Sequence, residues 1–181
     1  MKSILTLTLL SLISFTAIAQ HEDHGNHQQE QHQHTDHLET LIIHYMEAKN
    51  ALVQDNFESA KEYLHAFSEE VHSSGEMNNH EEHSEKHAEH HGKMMAAVEE
   101  ASGAEDIKAL RSAFKKISDE LITAVQNQGY EGKLFKQYCP MYEGGSSWLS
   151  AEEKVKNPFL GQAMPGCGDS SELIIKDSDE S

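Results

Sequence analysis

Basic residues are scarce in this sequence. Its 181 residues carry 14 Lys and Arg against 31 Asp and Glu, a net charge of −17 with histidine neutral. Nucleic acids and anionic membrane surfaces are bound through basic patches, so the charge excludes both as partners and suits cations. Catalytic signatures are missing as well: no G-x-S-x-G nucleophile elbow, no phosphate-cradling glycine loop and no HExxH. His87 and His91 have the four-residue step of a zinc helix, but Ala88 stands where the glutamate would follow. An enzyme is therefore not expected. Strand-like alternation is not apparent anywhere, and the only long apolar run is at the N-terminus. Cysteine, proline and tryptophan are rare, with two, three and one residues, and all of them fall between Tyr138 and Gly168.

That concentration makes Tyr138 to Gly168 the stretch around which the chain is organised. A methionine stands close to each cysteine, as Cys139-Pro140-Met141 and Met164-Pro165-Gly166-Cys167. Thiolate and thioether are soft donors that select Cu(I) over harder cations. Proline stiffens the backbone that presents them. Cys139, Met141, Met164 and Cys167 thus read as two half-sites of a soft metal site. The same two cysteines in an exported protein can instead form a structural disulfide, worth roughly 3–4 kcal/mol for a loop of this length. Spacing alone leaves both readings open.

Residues 1–19 have the form of an export signal. Lys2 supplies the positive start, Ile4 to Ile18 the apolar stretch, and Ala17-Ile18-Ala19 the cleavage site. Cleavage after Ala19 is expected to leave a periplasmic protein without stable membrane insertion. Residues 20–36 are polar and rich in histidine, and with nothing apolar to bury they predict a disordered tail. His21, His24, His27, His32, His34 and His37 mark this region as a weak metal collector for Cu(II) or zinc.

Residues 37–130 predict an all-α, antiparallel four-helix bundle. Leu38, Leu41, Ile42, Tyr45, Leu52 and Val53 recur at helical spacing after an Asp36…Glu39 capping box. Asp55…Glu58 repeats that start, followed by Phe57, Ala60, Leu64, Phe67 and Val71. Ser73-Ser74-Gly75 is expected to end the second helix. The third, finishing near Ala101, follows a second histidine tract. In it His83, His87, His91 and Met95 stand four apart, and His80, His83, His87 and His90 form an overlapping stripe. These are further weak ligands for Cu(II) or zinc, whereas His44, His65 and His72 fall off the apolar stripes and read as plain exposed residues. Ser102…Glu105 is expected to cap a fourth helix built on Ile107, Leu110, Phe114, Ile117, Leu121 and Val125, with Gly129 ending it. Residues 131–170 predict an irregular segment bearing the cysteines, methionines and tryptophan and packed on the bundle. Residues 171–181 predict an acidic tail.

The order of these parts carries a resemblance. A fourth helix of the form DIKALRSAFKKISDELI is followed by Cys139-Pro140-Met141, Trp148-Leu149-Ser150, Asn157-Pro158-Phe159 and Met164…Cys167-Gly168. From Leu38 to Gly168 this resembles the family of exported bacterial proteins designated domain of unknown function 3347. That domain also occurs appended to adaptor subunits of copper and silver efflux pumps. Tyr138-Cys139-Pro140-Met141 is also similar to short heavy-metal-binding modules, although His-Pro follows there and Tyr142-Glu143 here. The resemblance implies a copper setting, with a heavy-metal efflux adaptor or pump as a partner. Three expectations follow: a periplasmic copper-binding protein that sequesters metal or hands it to an efflux system; a zinc buffer with a bridged cysteine pair; or a helical interaction module of an envelope complex, with Trp148 and Phe159 as anchors.

Overall fold

A computed structural model describes residues 26–77 and 85–172. The expected export signal, His21, His24, His80, His83 and most of the acidic tail lie outside the described residues. Four helices come first: α1 Asn26–Val53, α2 Phe57–Met77, α3 Glu85–Ser102 and α4 Ile107–Gln128. Helix α1 packs on α2, α2 on α3, and α3 on α4. The apolar stripes form the core, from Leu41, Ile42, Tyr45 and Leu52 through Leu64 and Phe67 to Leu110, Phe114, Ile117 and Leu121.

Several helix boundaries differ from the sequence expectation. Helix α1 starts ahead of Asp36 and takes in residues 26–36 of the segment expected to be disordered. Its Gln and Glu residues are good helix formers, and no Gly or Pro interrupts them. Helix α2 runs through Gly75 to Met77 instead of breaking at Ser73, because a lone glycine weakens a helix by only about 1 kcal/mol. Asn56, not Asp55, caps α2 by accepting the Ser59 N–H at 3.1 Å. Asp106, not Ser102, caps α4 by accepting the Ala109 N–H at 2.8 Å. In each case the closer short polar side chain reaches the free amides of the first turn. Gly129 ends α4 as expected, at φ 85°.

The C-terminal segment departs from the all-α expectation. It is a three-stranded antiparallel sheet, with β1 Phe135–Cys139 between β2 Ser146–Ser150 and β3 Asp169–Glu172. Phe135, Gln137 and Cys139 are buried on one face of β1, opposite Ser150, Trp148 and Ser146 of β2. Gln137 is buried among apolar neighbours because its amide is used. Nε2 donates to the carbonyls of Glu152 at 2.9 Å and Lys154 at 3.1 Å, fastening the loop after β2.

Two networks seat the C-terminal segment on the helices, the first of them buried. The Leu149 N–H of β2 donates to Tyr45 Oη of α1 at 3.1 Å. That hydroxyl pairs with Ser118 Oγ of α4 at 2.8 Å, and Ser118 donates onward to the Phe114 carbonyl. The second network centres on Arg111, which donates to the carbonyls of Pro158 and Leu52 at 2.7 and 2.9 Å and to the Asp55 carboxylate. It ties α4, the end of α1 and the NPF loop together. Gly161 passes so close to this pair, at φ 51°, that an added Cβ would collide with Asp55 and Arg111.

The Arg111 hydrogen bond holds the Asp55 carboxyl below its usual range; burial opposes it and the Gln162 N–H adds to it. A depressed native value means stabilisation that is full above the unfolded aspartate value of about 3.9 and lost as pH falls through the native value. Asp55→Asn should therefore be less stable than the parent at neutral pH, with the gap closing toward about pH 2.5. Asparagine tolerates the left-handed backbone found at Asp55, φ 58°. Urea unfolding of both proteins at the two pH values checks this, and a gap unchanged with pH would remove the carboxylate from the account.

Candidate metal centre

Cys139 ends the central strand and Cys167 immediately precedes the turn into β3, so antiparallel pairing of β1 with β3 brings them together. Their sulfurs are 3.7 Å apart and both are thiols. Cys139 is buried and Cys167 half-buried. The β1–β2 turn doubles back through Glu143, Gly144 and Gly145, all at positive φ. At the other arm the Cys167 N–H donates to the Met164 carbonyl at 3.1 Å. Gly168 has φ 136°, and a Cβ there would lie 2.5 Å from the Tyr138 carbonyl oxygen and 3.3 Å from Trp148 Cη2. Only glycine lets the Cys167 arm lie this close to the strand.

Asn157 joins the two arms, and sequence reasoning did not single it out. It is fully buried. Nδ2 donates to the Cys167 carbonyl at 2.7 Å, and Oδ1 accepts the N–H groups of Phe159 and Leu160 at 2.8 and 3.0 Å. Its own N–H donates to the Pro165 carbonyl at 2.8 Å. The available signal was its place in Asn157-Pro158-Phe159, since a short amide before proline is a turn former.

The two thiols are electrostatically unequal. Burial alone would push the Cys139 thiol up. The Met141 N–H, the Asn157 side chain, the Cys167 thiol and the Tyr142 N–H outweigh burial and hold it below the ordinary thiol value. Backbone N–H groups two and three residues on from a cysteine favour the charged sulfur. The Cys167 thiol is raised, chiefly by its hydrogen bond to Cys139, then by burial and by the nearby negative charges of Cys139 and Asp169. The thiol held lower is thus the buried one. A redox nucleophile needs the reverse, a low-pKa sulfur open to solvent.

Met141 and Met164 are 65% and 43% exposed, so neither side chain is packed into the core. An aromatic wall lies behind the pair. Tyr142 stacks on Phe159 at 4.7 Å, and Trp148 meets Phe159 edge-on at 5.6 Å. Trp148 Nε1 and Tyr142 Oη are buried without a hydrogen-bond partner among the described residues.

The histidine tracts are brought together less completely. His27, His32 and His34 lie on α1 and His87 on α3. His37 Nδ1 contacts Glu70 of α2, and His90 Nδ1 contacts Glu120 of α4 at 2.8 Å. His91 and Met95 are half-buried on α3. Among the described residues no group of three His, Cys, Asp or Glu is placed to hold a metal ion. No helix among them is long and apolar enough to cross a membrane.

Residues 41–133 match the family described as protein of unknown function (DUF3347). The chain belongs to this family. The match runs from within α1 through α4 and stops just short of β1, so within the DUF3347 chain the Cys139–Cys167 pair lies beyond the matched span. No curated protein and no solved structure matches the chain.

Proposed function

We propose that this DUF3347 protein is a periplasmic copper-binding protein that sequesters the metal or passes it to an efflux system. Cys139 and Cys167 hold Cu(I), with Met141 and Met164 as thioether ligands, and the four helices form an antiparallel bundle that carries the sheet. The observation behind this reading is the pair of sulfurs 3.7 Å apart, the inner one held toward thiolate. Two sulfurs sharing one metal at about 2.3 Å and a tetrahedral angle stand about 3.8 Å apart. The donor set favours copper over zinc. A structural zinc site takes four His, Cys or carboxylate ligands, and around this pair the remaining soft donors are thioethers, which select Cu(I). Exposure of both methionines suits a metal that must be received and released.

The test is a Cu(I) titration of the reduced, tag-free mature chain against a competing chelator, with a thiol count on protein taken from periplasm. One tightly held Cu(I) per chain, protecting both thiols from alkylation, is expected. Protein that arrives bridged and binds no Cu(I) after reduction would establish the structural disulfide instead.

The histidine tracts act as weaker collectors of Cu(II) or zinc. Neutral imidazole is the ligand, and its reference pKa is about 6.5. Weak-site uptake should therefore fall as pH drops from about 8 to about 5.5, read by equilibrium dialysis. Equal uptake at both ends would exclude histidine as the ligand.

A further inference from the structure

Copper in two oxidation states, Cu(II) at the histidine tracts and Cu(I) at the cysteine pair, requires one electron to enter each ion between them. Thiols are the readily oxidised groups of a protein, and this chain has only two, Cys139 and Cys167. Neither is bridged, and their sulfurs are 3.7 Å apart. A bond between them, at about 2.05 Å, needs a closure of about 1.7 Å. Cys139 is the fixed partner, fully buried at the end of β1 and paired with Ser146 of β2. Cys167 is the one with room to adjust. Glycine flanks it on both sides, and a Cβ built at Gly166 meets nothing within 4 Å. Cys167 is also only half-buried, so an ion arriving from solvent meets it first.

We propose that the Cys139–Cys167 pair is also a two-electron donor that reduces Cu(II) to Cu(I) and, once bridged, lets the metal go. The inference rests on copper being the cargo, as proposed above, and adds an activity and a release step to it. Two thiols and two Cu(II) ions give one disulfide, two Cu(I) ions and two protons. Each S–H bond breaks with its proton passing to solvent, each sulfur gives one electron to one copper ion, and the S–S bond forms. The oxidant is the metal itself, so no disulfide of another molecule has to be attacked. Burial of the inner thiol is then no obstacle, because the ion needs to reach only Cys167 while Cys139 closes the bond from behind. Bridging consumes both thiolates, which are the metal-binding form of cysteine. Met141 and Met164 then remain as the soft donors beside the pair, without an anionic ligand to hold Cu(I).

The experiment mixes the reduced, tag-free mature chain with excess Cu(II) in the absence of oxygen, beside a colorimetric Cu(I) chelator. Two Cu(I) should appear per chain as both thiols disappear, and the product should be a monomer whose peptide map links Cys139 to Cys167. The rate constant should not change with protein concentration. Cys167→Ser keeps the inner thiol and can be bridged only between chains, so its Cu(I) formation at micromolar protein should be slower by about tenfold or more. Zinc, which has no redox chemistry, should leave both thiols of the parent reduced. The bridged product, freed of copper, should bind Cu(I) at least about a hundredfold more weakly than the reduced chain. Thiols that survive Cu(II), disulfide-linked dimers as the main product, or a parent no faster than Cys167→Ser would overturn the reduction. A bridged chain that holds Cu(I) as tightly as the reduced one would overturn the release. A Cu(I) titration of the reduced chain keeps this inference apart from the reading it rests on. Binding there with thiols that survive Cu(II) removes the electron donor and leaves the Cu(I) site, whereas rapid bridging in a chain that never retains Cu(I) supports the donor and removes the site.

Discussion

Cys139→Ser should lose at least about a hundredfold in Cu(I) affinity, or some 2.7 kcal/mol, while its melting temperature stays close to that of the parent. Serine matches cysteine in shape, and its oxygen can accept the N–H groups of Met141 and Tyr142 and the Asn157 side chain that now converge on the sulfur. What it lacks is a soft anion at neutral pH. Met141→Leu with Met164→Leu should cost less, about tenfold, because exposed thioethers complete the site rather than anchor it. Leucine preserves apolar volume, so the double change should leave the fold intact. A structural bridge predicts the opposite pattern. Either cysteine change would then remove roughly 3–4 kcal/mol of stability, and the methionine changes would do nothing to metal binding. Competition titrations and thermal melts on the same variants separate the two. Cu(I) affinity within a few-fold of the parent in Cys139→Ser would sink the copper site.

The helices were readable because their apolar residues recur locally at steps of three and four. Leu41, Tyr45 and Leu52, or Leu110, Phe114, Ile117 and Leu121, need no distant partner to declare a buried face. The sheet was not readable for the complementary reason. Its strands are four or five residues long, and β1 pairs with β3 across residues 140–168, a stretch that includes β2. The inward face of β1 also carries Gln137 where an apolar residue would have shown the alternation, since its amide serves the backbone of the loop after β2. The closeness of the two cysteines in the fold is compatible with their spacing in the sequence, whereas their asymmetry was not visible there. Which sulfur is buried depends on strand direction, and which thiol is held lower depends on N–H groups that only a folded turn aims.

The largest expected loss of stability is at Trp148. Trp148→Ala should cost about 3–5 kcal/mol, the usual penalty for removing a buried large aromatic. Against a total of about 5–15 kcal/mol for a domain, the melting temperature should fall by on the order of ten degrees. The residue is fully buried in β2, opposite Gln137. Its ring meets Phe159 edge-on, and Phe159 lies against Phe114 of α4 at 6.0 Å. The same ring reaches Gly168, next to Cys167. One deletion therefore opens a cavity under the sheet and loosens the arm that carries the outer sulfur. Metal binding to the native state should recover part of the loss, since ligand at a thousand times its dissociation constant adds about 4.1 kcal/mol. Phe67→Ala, which removes a buried aromatic from α2, should destabilise comparably while leaving Cu(I) affinity near that of the parent. In Trp148→Ala the affinity should fall together with the melting temperature. Thermal melts with and without Cu(I), beside a competition titration under conditions where each variant is folded, give both quantities. Trp148→Ala binding Cu(I) as tightly as Phe67→Ala would mean that the tryptophan supports the sheet and contributes nothing to the placement of Cys167.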